Sequence, residues 1–134
     1  MKLSAKGRYG ILAMYDLASR QAEGPQPLKA VAERQGIPEA YLEQLMGKLR
    51  KAGLVNGTRG SQGGYELARD ARDILVGEII RTLESDFGSI KCLEDGVNCS
   101  RAHACPTYYV WKRVYDGLNG IVDSMTLKDL VESC

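Results

Sequence analysis

Three patterns in the sequence predict its fold class: two helical stretches joined by Gly36-Ile37-Pro38, a Gly-rich hairpin pattern at residues 54–67, and an apolar seam through Trp111, Val114, Leu118, Ile121 and Met125. Together they predict a mainly α chain, with a winged helix-turn-helix domain, a small β-hairpin wing and a long C-terminal dimerisation helix. The 134 residues, 44% of them hydrophobic, suffice for the core of one small domain and an extended element for oligomerisation. The expected divisions are 1–84 for the winged domain, 85–105 for a cysteine-containing loop, and 106–134 for the dimerisation helix with a short last helix.

Ile11, Met14, Tyr15 and Ala18 recur at helical spacing, so the first helix is expected over residues 4–20 with Ser4 as its cap. Gly24-Pro25-Gln26-Pro27 stops it. A short second helix follows, with Leu28, Val31 and Ala32 on one face and Gly36 at the left-handed C-terminal position. Pro38 is expected in the first turn of a third helix, whose apolar stripe is Leu42, Leu45, Met46 and Leu49 and which Gly53 ends. Its outward residues are Tyr41, Glu43, Gln44, Lys48, Arg50 and Lys51.

Residues 54–67 read as two short strands around a Gly-rich tip that carries Arg59. A fourth helix with Leu75, Val76, Ile79, Ile80 and Leu83 should pack on the winged domain. Beyond the cysteines, Pro106 opens a helix whose seam residues are spaced three, four, three and four apart, a short heptad pattern that favours pairing between subunits. Gly117 and Gly120 lower its intrinsic helicity, so packing must stabilise it. Thr126-Leu-Lys-Asp129 has the form of a capping box for a last helix carrying Leu127, Leu130 and Val131.

The net charge of +1 conceals an asymmetry: residues 1–69 hold 11 Lys/Arg against 6 Asp/Glu, and residues 70–134 hold 7 against 11. A basic half is suited to a polyanion, because lysine and arginine neutralise phosphates. In a helix-turn-helix the second helix enters the major groove. Gln44 can pair with adenine and Glu43 can accept from cytosine N4, while Lys48, Arg50 and Lys51 suit phosphates and Arg59 a minor groove. Double-stranded DNA is therefore the expected partner.

Cys92, Cys99 and Cys105 lie within fourteen residues. Thiolates are soft ligands for zinc, copper(I) and iron–sulfur centres, so this stretch reads as a metal or cluster loop. No signal-peptide pattern and no apolar run of about 20 residues is present, which sets a cytoplasmic, non-membrane expectation. In a reducing compartment four cysteines are better read as ligands, sensors or inert thiols than as disulfides. A single histidine, with no nucleophile–base pair and no nucleotide-binding loop, argues against an enzyme. An interaction module for a metabolic enzyme, with DNA secondary, is the rival of a different class.

The run Lys2-Leu-Ser-Ala-Lys-Gly-Arg-Tyr-Gly10, Tyr41-Leu-Glu-Gln-Leu45, Leu49-Arg-Lys-Ala-Gly-Leu-Val55, Arg59-Gly-Ser-Gln-Gly-Gly-Tyr65 and Val76-Gly-Glu-Ile-Ile80 resembles the IscR, NsrR and CymR superfamily of bacterial winged-helix regulators. The resemblance spans essentially the whole chain. It implies a homodimer joined by the long helix, each subunit presenting one winged helix to a pseudo-palindromic operator, with Tyr41, Glu43 and Gln44 in the major groove and Arg59 in the minor groove. For Tyr41 a buried structural role is the alternative.

Cluster-binding members place three cysteines before the dimer helix, and Cys92, Cys99 and Cys105 match them, with six residues rather than the usual five in the first interval. The resemblance thus implies a regulator, expected to be a repressor, controlled by an iron–sulfur cluster (2Fe–2S or 4Fe–4S) that senses iron–sulfur status, redox or nitric oxide. Where IscR-type members keep a histidine as fourth ligand this chain has Tyr108, and where NsrR-type members keep an acidic residue of the partner's first helix it has Arg8. His103 is the shortest reach for a fourth ligand, ahead of Glu94, Asp95, Tyr108, Cys134 or an external thiol. Zinc held by the cysteines and His103, or a thiol switch, is the alternative for the loop. CymR-like members lack the cysteines and respond to a protein effector.

Overall fold

The computed structural model describes residues 4–60, 63–87 and 106–133. Helix α1 (Ala5–Ser19) is capped by Ser4, whose side chain accepts from the Lys6 N–H. Its buried face, Ala13, Met14 and Leu17, begins the main core. After a 3₁₀ turn at Gln21–Glu23, α2 (Leu28–Gln35) ends at Gly36, which adopts the left-handed conformation (φ 65°, ψ 37°) that a side chain would disfavour.

Helix α3 (Glu39–Lys51) buries Leu42, Leu45, Met46 and Leu49, the stripe expected from the spacing. It starts one residue later than the proline suggested: Pro38 has helical φ (−57°), but its ψ of 128° leaves it as the N-cap residue. Gly53, at φ 78°, turns the chain out of the helix into the wing.

Strands β1 (Val55–Thr58) and β2 (Gly64–Leu67) pair antiparallel, with Val55 opposite Leu67 and Thr58 opposite Gly64. Val55 and Leu67 enter the core at the base of the hairpin. Gln26 adds a short third edge, exchanging two 2.8 Å backbone hydrogen bonds with Tyr65.

Helix α4 (Val76–Leu83) packs across α1 at Gly10, where an added Cβ would stand 2.0 Å from Leu83 Cδ1. The Glu78 carboxylate closes its start by accepting from the Leu75 N–H at 3.0 Å. Helix α5 (Tyr108–Asp123) begins two residues after Pro106 and buries only Val122, against Val76 and Ile80 of α4. Arg81 pins the two helices together through Asp123 (2.5 Å) and Asn119 (2.9 Å).

The chain then returns to the winged core. Leu75 and Thr126 form a bridge, and Leu127, on α6 (Leu127–Ser133), is fully buried among α1 residues and their neighbours. The capping box at its start forms as its sequence predicts, with the Thr126 N–H donating to Asp129 and the Asp129 N–H to Thr126 Oγ1. Among the described residues no helix is long and apolar enough to cross a membrane.

The polar arrangement beneath the helix-turn-helix has no counterpart in the sequence reading. Asp16, 2% exposed, accepts two hydrogen bonds from Arg34 (2.9 and 2.7 Å) and one from Gln35 (3.0 Å), and Arg34 also reaches the Gln26 side chain at 2.9 Å. One buried carboxylate thus ties α1 to α2 and to the edge beside the wing. Burial pushes the Asp16 carboxyl up, but the Arg34 and Gln35 hydrogen bonds and the Arg34 charge outweigh it and hold it below 3.8.

Asp16→Asn should therefore cost about 2 kcal/mol in urea unfolding at neutral pH, since it weakens a bidentate, charge-assisted pair. Because the folded-state value is depressed, this contribution is complete above the ordinary carboxylate range and is lost as pH falls through the folded value. The stabilities of wild type and variant should therefore converge in acid.

Candidate nucleic-acid interface

The outward face of α3 and the wing form one surface. Glu43, Gln44, Lys48, Arg50 and Lys51 are exposed along α3, and Arg59 is exposed just beyond the end of β1. Among the described residues none of these five charged side chains (Glu43, Lys48, Arg50, Lys51, Arg59) enters an ion pair. Lys48, Arg50 and Lys51 occupy the last turn of α3, where positive charge complements the helix dipole. The Arg50 stem lies along the hairpin: a Cβ placed on Gly57 of β1 would be 3.9 Å from Arg50 Cδ and 3.5 Å from the Tyr65 ring.

Tyr41 stands apart from these. It is half-buried, packed on the core and edge-to-face against Tyr9 of α1, with ring centroids 5.6 Å apart and planes at 79°. Such a pair supplies packing beyond simple burial, so Tyr41 carries a structural role at the front of α3, the alternative left open by its sequence.

The arrangement has the parts that a major-groove reader needs: a helix whose apolar stripe is wholly buried, a polar and basic opposite face, and a wing fixed alongside by the Gln26–Tyr65 pairing. The comparisons agree with it. A family model, Rrf2, described as an iron-dependent transcriptional regulator, matches residues 3–133.

The chain belongs to the Rrf2 family.

Within it, the HTH-type transcriptional regulator IscR of Escherichia coli strain K12 is 42% identical over 133 residues, covering 99% of this chain and 82% of that protein. Among solved structures, T. potens IscR matches with a TM-score of 0.79 and 47% identity, covering 99% of this chain and 88% of that one. CymR, the global cysteine regulator of B. subtilis, matches with a TM-score of 0.84 and 40% identity, over 100% and 98% of the two chains. The protein is thus a DNA-binding transcriptional regulator of the winged-helix type, from a family whose named members are regulators and not enzymes.

Cys92, Cys99, Cys105 and His103 lie outside the described residues, as do Glu94, Asp95 and Cys134. Among the described residues no group of three His, Cys, Asp or Glu side chains is placed to hold a metal ion. Three thiolates in the cysteine segment have the chemistry for an iron–sulfur centre. Arg8, exposed on α1, offers a guanidinium with no lone pair for a metal, whereas the half-buried Tyr108 at the start of α5 carries a phenol oxygen that can ligate iron.

Proposed function

We propose that this Rrf2 regulator is a homodimeric repressor that binds a double-stranded DNA operator, with an affinity set by an iron–sulfur cluster on Cys92, Cys99 and Cys105. The observation that carries this reading is the combination, in one chain of the family, of an uncovered basic face on α3 with three cysteines inside fourteen residues. When bound, the cluster supplies a centre whose loss or oxidation registers iron–sulfur status, redox or nitric oxide.

Glu43 and Gln44 read base edges in this account, Lys48, Arg50 and Lys51 hold phosphates, and Arg59 enters the minor groove. Tyr41, half-buried against Tyr9, joins them at the groove in this reading while also holding the front of α3. Supporting the dimer is the uncovered apolar face of α5, where Trp111, Val114 and Ile121 are 42%, 39% and 61% exposed. A matching face on a second copy would bury it and space two recognition helices for two half-sites.

Glu43→Ala and Arg59→Ala should each weaken operator binding about 10- to 100-fold while the dimer stays intact, as titration and sedimentation would report. Lys48→Ala should instead weaken all sequences alike and reduce the salt dependence by about one unit of slope. Unchanged DNA binding in both Glu43→Ala and Arg59→Ala would remove α3 and the wing from the reading role.

Anaerobic purification with visible absorption and iron, sulfide and zinc assays separates the cofactors. A coloured protein with iron and sulfide supports the cluster, and a colourless one with stoichiometric zinc supports a zinc loop of the cysteines and His103. Metal-free protein with reversible thiol oxidation supports a thiol switch. The likeness to B. subtilis CymR favours a second reading, regulation of cysteine metabolism through a protein effector, against which the cysteine set stands.

A further inference from the structure

At the end of α4 stands a buried carboxylate that the recognition surface does not use. Glu84 is 4% exposed and is the C-cap residue of that helix. Its two oxygens accept hydrogen bonds from the backbone N–H and the hydroxyl of Ser4, 80 residues away in the chain.

Ser4 is the N-cap of α1, and its hydroxyl oxygen in turn accepts from the Lys6 N–H at 3.2 Å. A capping box would complete this with a glutamate at the third helical position, its carboxylate returning to the N-cap N–H. That position in α1 is Gly7. A Cβ added to Gly7 would lie 3.1 Å from Glu84 Cγ, so the space left by the missing side chain is filled by Glu84. The box is therefore split, with serine on α1 and the acid on α4.

The same end of α1 touches the recognition helix. Tyr9, two residues after Gly7, packs edge-to-face on Tyr41 of α3. A continuous set of contacts thus runs from the end of α4, through the cap and first turns of α1, to the front of α3.

We propose that Glu84 is a positioning residue for operator binding: by closing the cap of α1 from α4, it sets the placement of Tyr41 and the leading turn of α3. Glu84 precedes Cys92 by eight residues, so the same tie joins the approach to the cysteines to the recognition helix. This regulatory part rests on the iron–sulfur reading above.

The test compares full-length wild type with Glu84→Ala and with Glu84→Ala/Gly7→Glu, which rebuilds the capping box within α1 but leaves it untied to α4. Amide hydrogen exchange reports the cap, and operator titration with and without the cluster reports its consequence. Glu84→Ala should speed exchange in the first turn of α1 about 10-fold, weaken operator binding about 10-fold, and shrink the affinity difference between the two cluster states. The double variant should recover slow exchange without recovering operator affinity.

Wild-type exchange and affinity in Glu84→Ala would overturn the proposal, and so would recovery of operator affinity in the double variant, which would reduce Glu84 to a local cap. Glu84→Gln, nearly isosteric and lacking the charge, carries the single-variant comparison of exchange and affinity if the alanine variant does not fold. A wild type with equal operator affinity in both cluster states would defeat the iron–sulfur reading instead. In that case the Glu84→Ala affinity loss, measured in either state, still decides the positioning role.

Discussion

Gly64→Ala is expected to destabilise the protein by about 3 kcal/mol and to lower its Tm by roughly 10 °C. Two costs combine at this position. Gly64 has φ 153°, which a Cβ disfavours, and that Cβ would stand 2.2 Å from the Gln26 carbonyl oxygen and 2.7 Å from the Pro27 nitrogen. Both obstacles are backbone and cannot rotate away. Relief requires the hairpin to leave the Gln26 edge, which breaks the two hydrogen bonds to Tyr65 and frees the tip end of the wing. Thermal unfolding would measure the loss, and any folded fraction should bind the operator more weakly because the strand ends that carry Arg59 are no longer held. A Tm within 2 °C of wild type would show that the Gln26 edge does not hold the wing.

Alanine in place of Cys92, Cys99 or Cys105 is expected to remove the proposed cluster completely in each case, seen as loss of visible absorption with iron and sulfide at background. Two thiolates and one weaker donor do not hold a centre that needs four ligands. The winged core should survive, since its main buried cluster is built from α1 to α4, the hairpin, α6 and the turns between them. Near-wild-type thermal unfolding of the cluster-free core, together with altered operator affinity, would separate sensing from folding. Full cluster content in any of the three variants would remove that cysteine from the ligand set. His103→Ala, by the same assay, decides whether the only histidine is the fourth ligand.

Much of the fold was legible because its signals are local. The stripe Leu42, Leu45, Met46, Leu49 needs only helical spacing, Gly36 needs only its left-handed conformation, and Thr126 with Asp129 needs only a three-residue reach. What escaped is non-local chemistry. Asp16 could have been flagged, since it is an acid beside Ala13 and Leu17 on a buried face, but its partners Arg34 and Gln26 come from other segments. Gly7 lies in the first turn of α1, and nothing in its own helix says that Glu84 fills the space beside it.

The recognition face divides in the same way. Exposure of Glu43, Gln44, Lys48, Arg50 and Lys51 follows directly from the apolar stripe opposite them. The packing of Tyr41 on Tyr9 does not, because it depends on how α1 crosses α3. The return of Leu127 to the main core likewise depends on the path of α5 and not on the sequence of α6.

Operator titration of the wild-type protein, anaerobically and at fixed salt, before and after chelation of the iron decides whether a cluster controls DNA binding. A cluster-controlled regulator should be coloured and should change its operator affinity at least about 10-fold on cluster loss, a coupling of the size ordinary allostery supplies. The change should disappear in Cys92→Ala. Equal affinity in the two states, from protein shown to carry the cluster in one and not in the other, would contradict it.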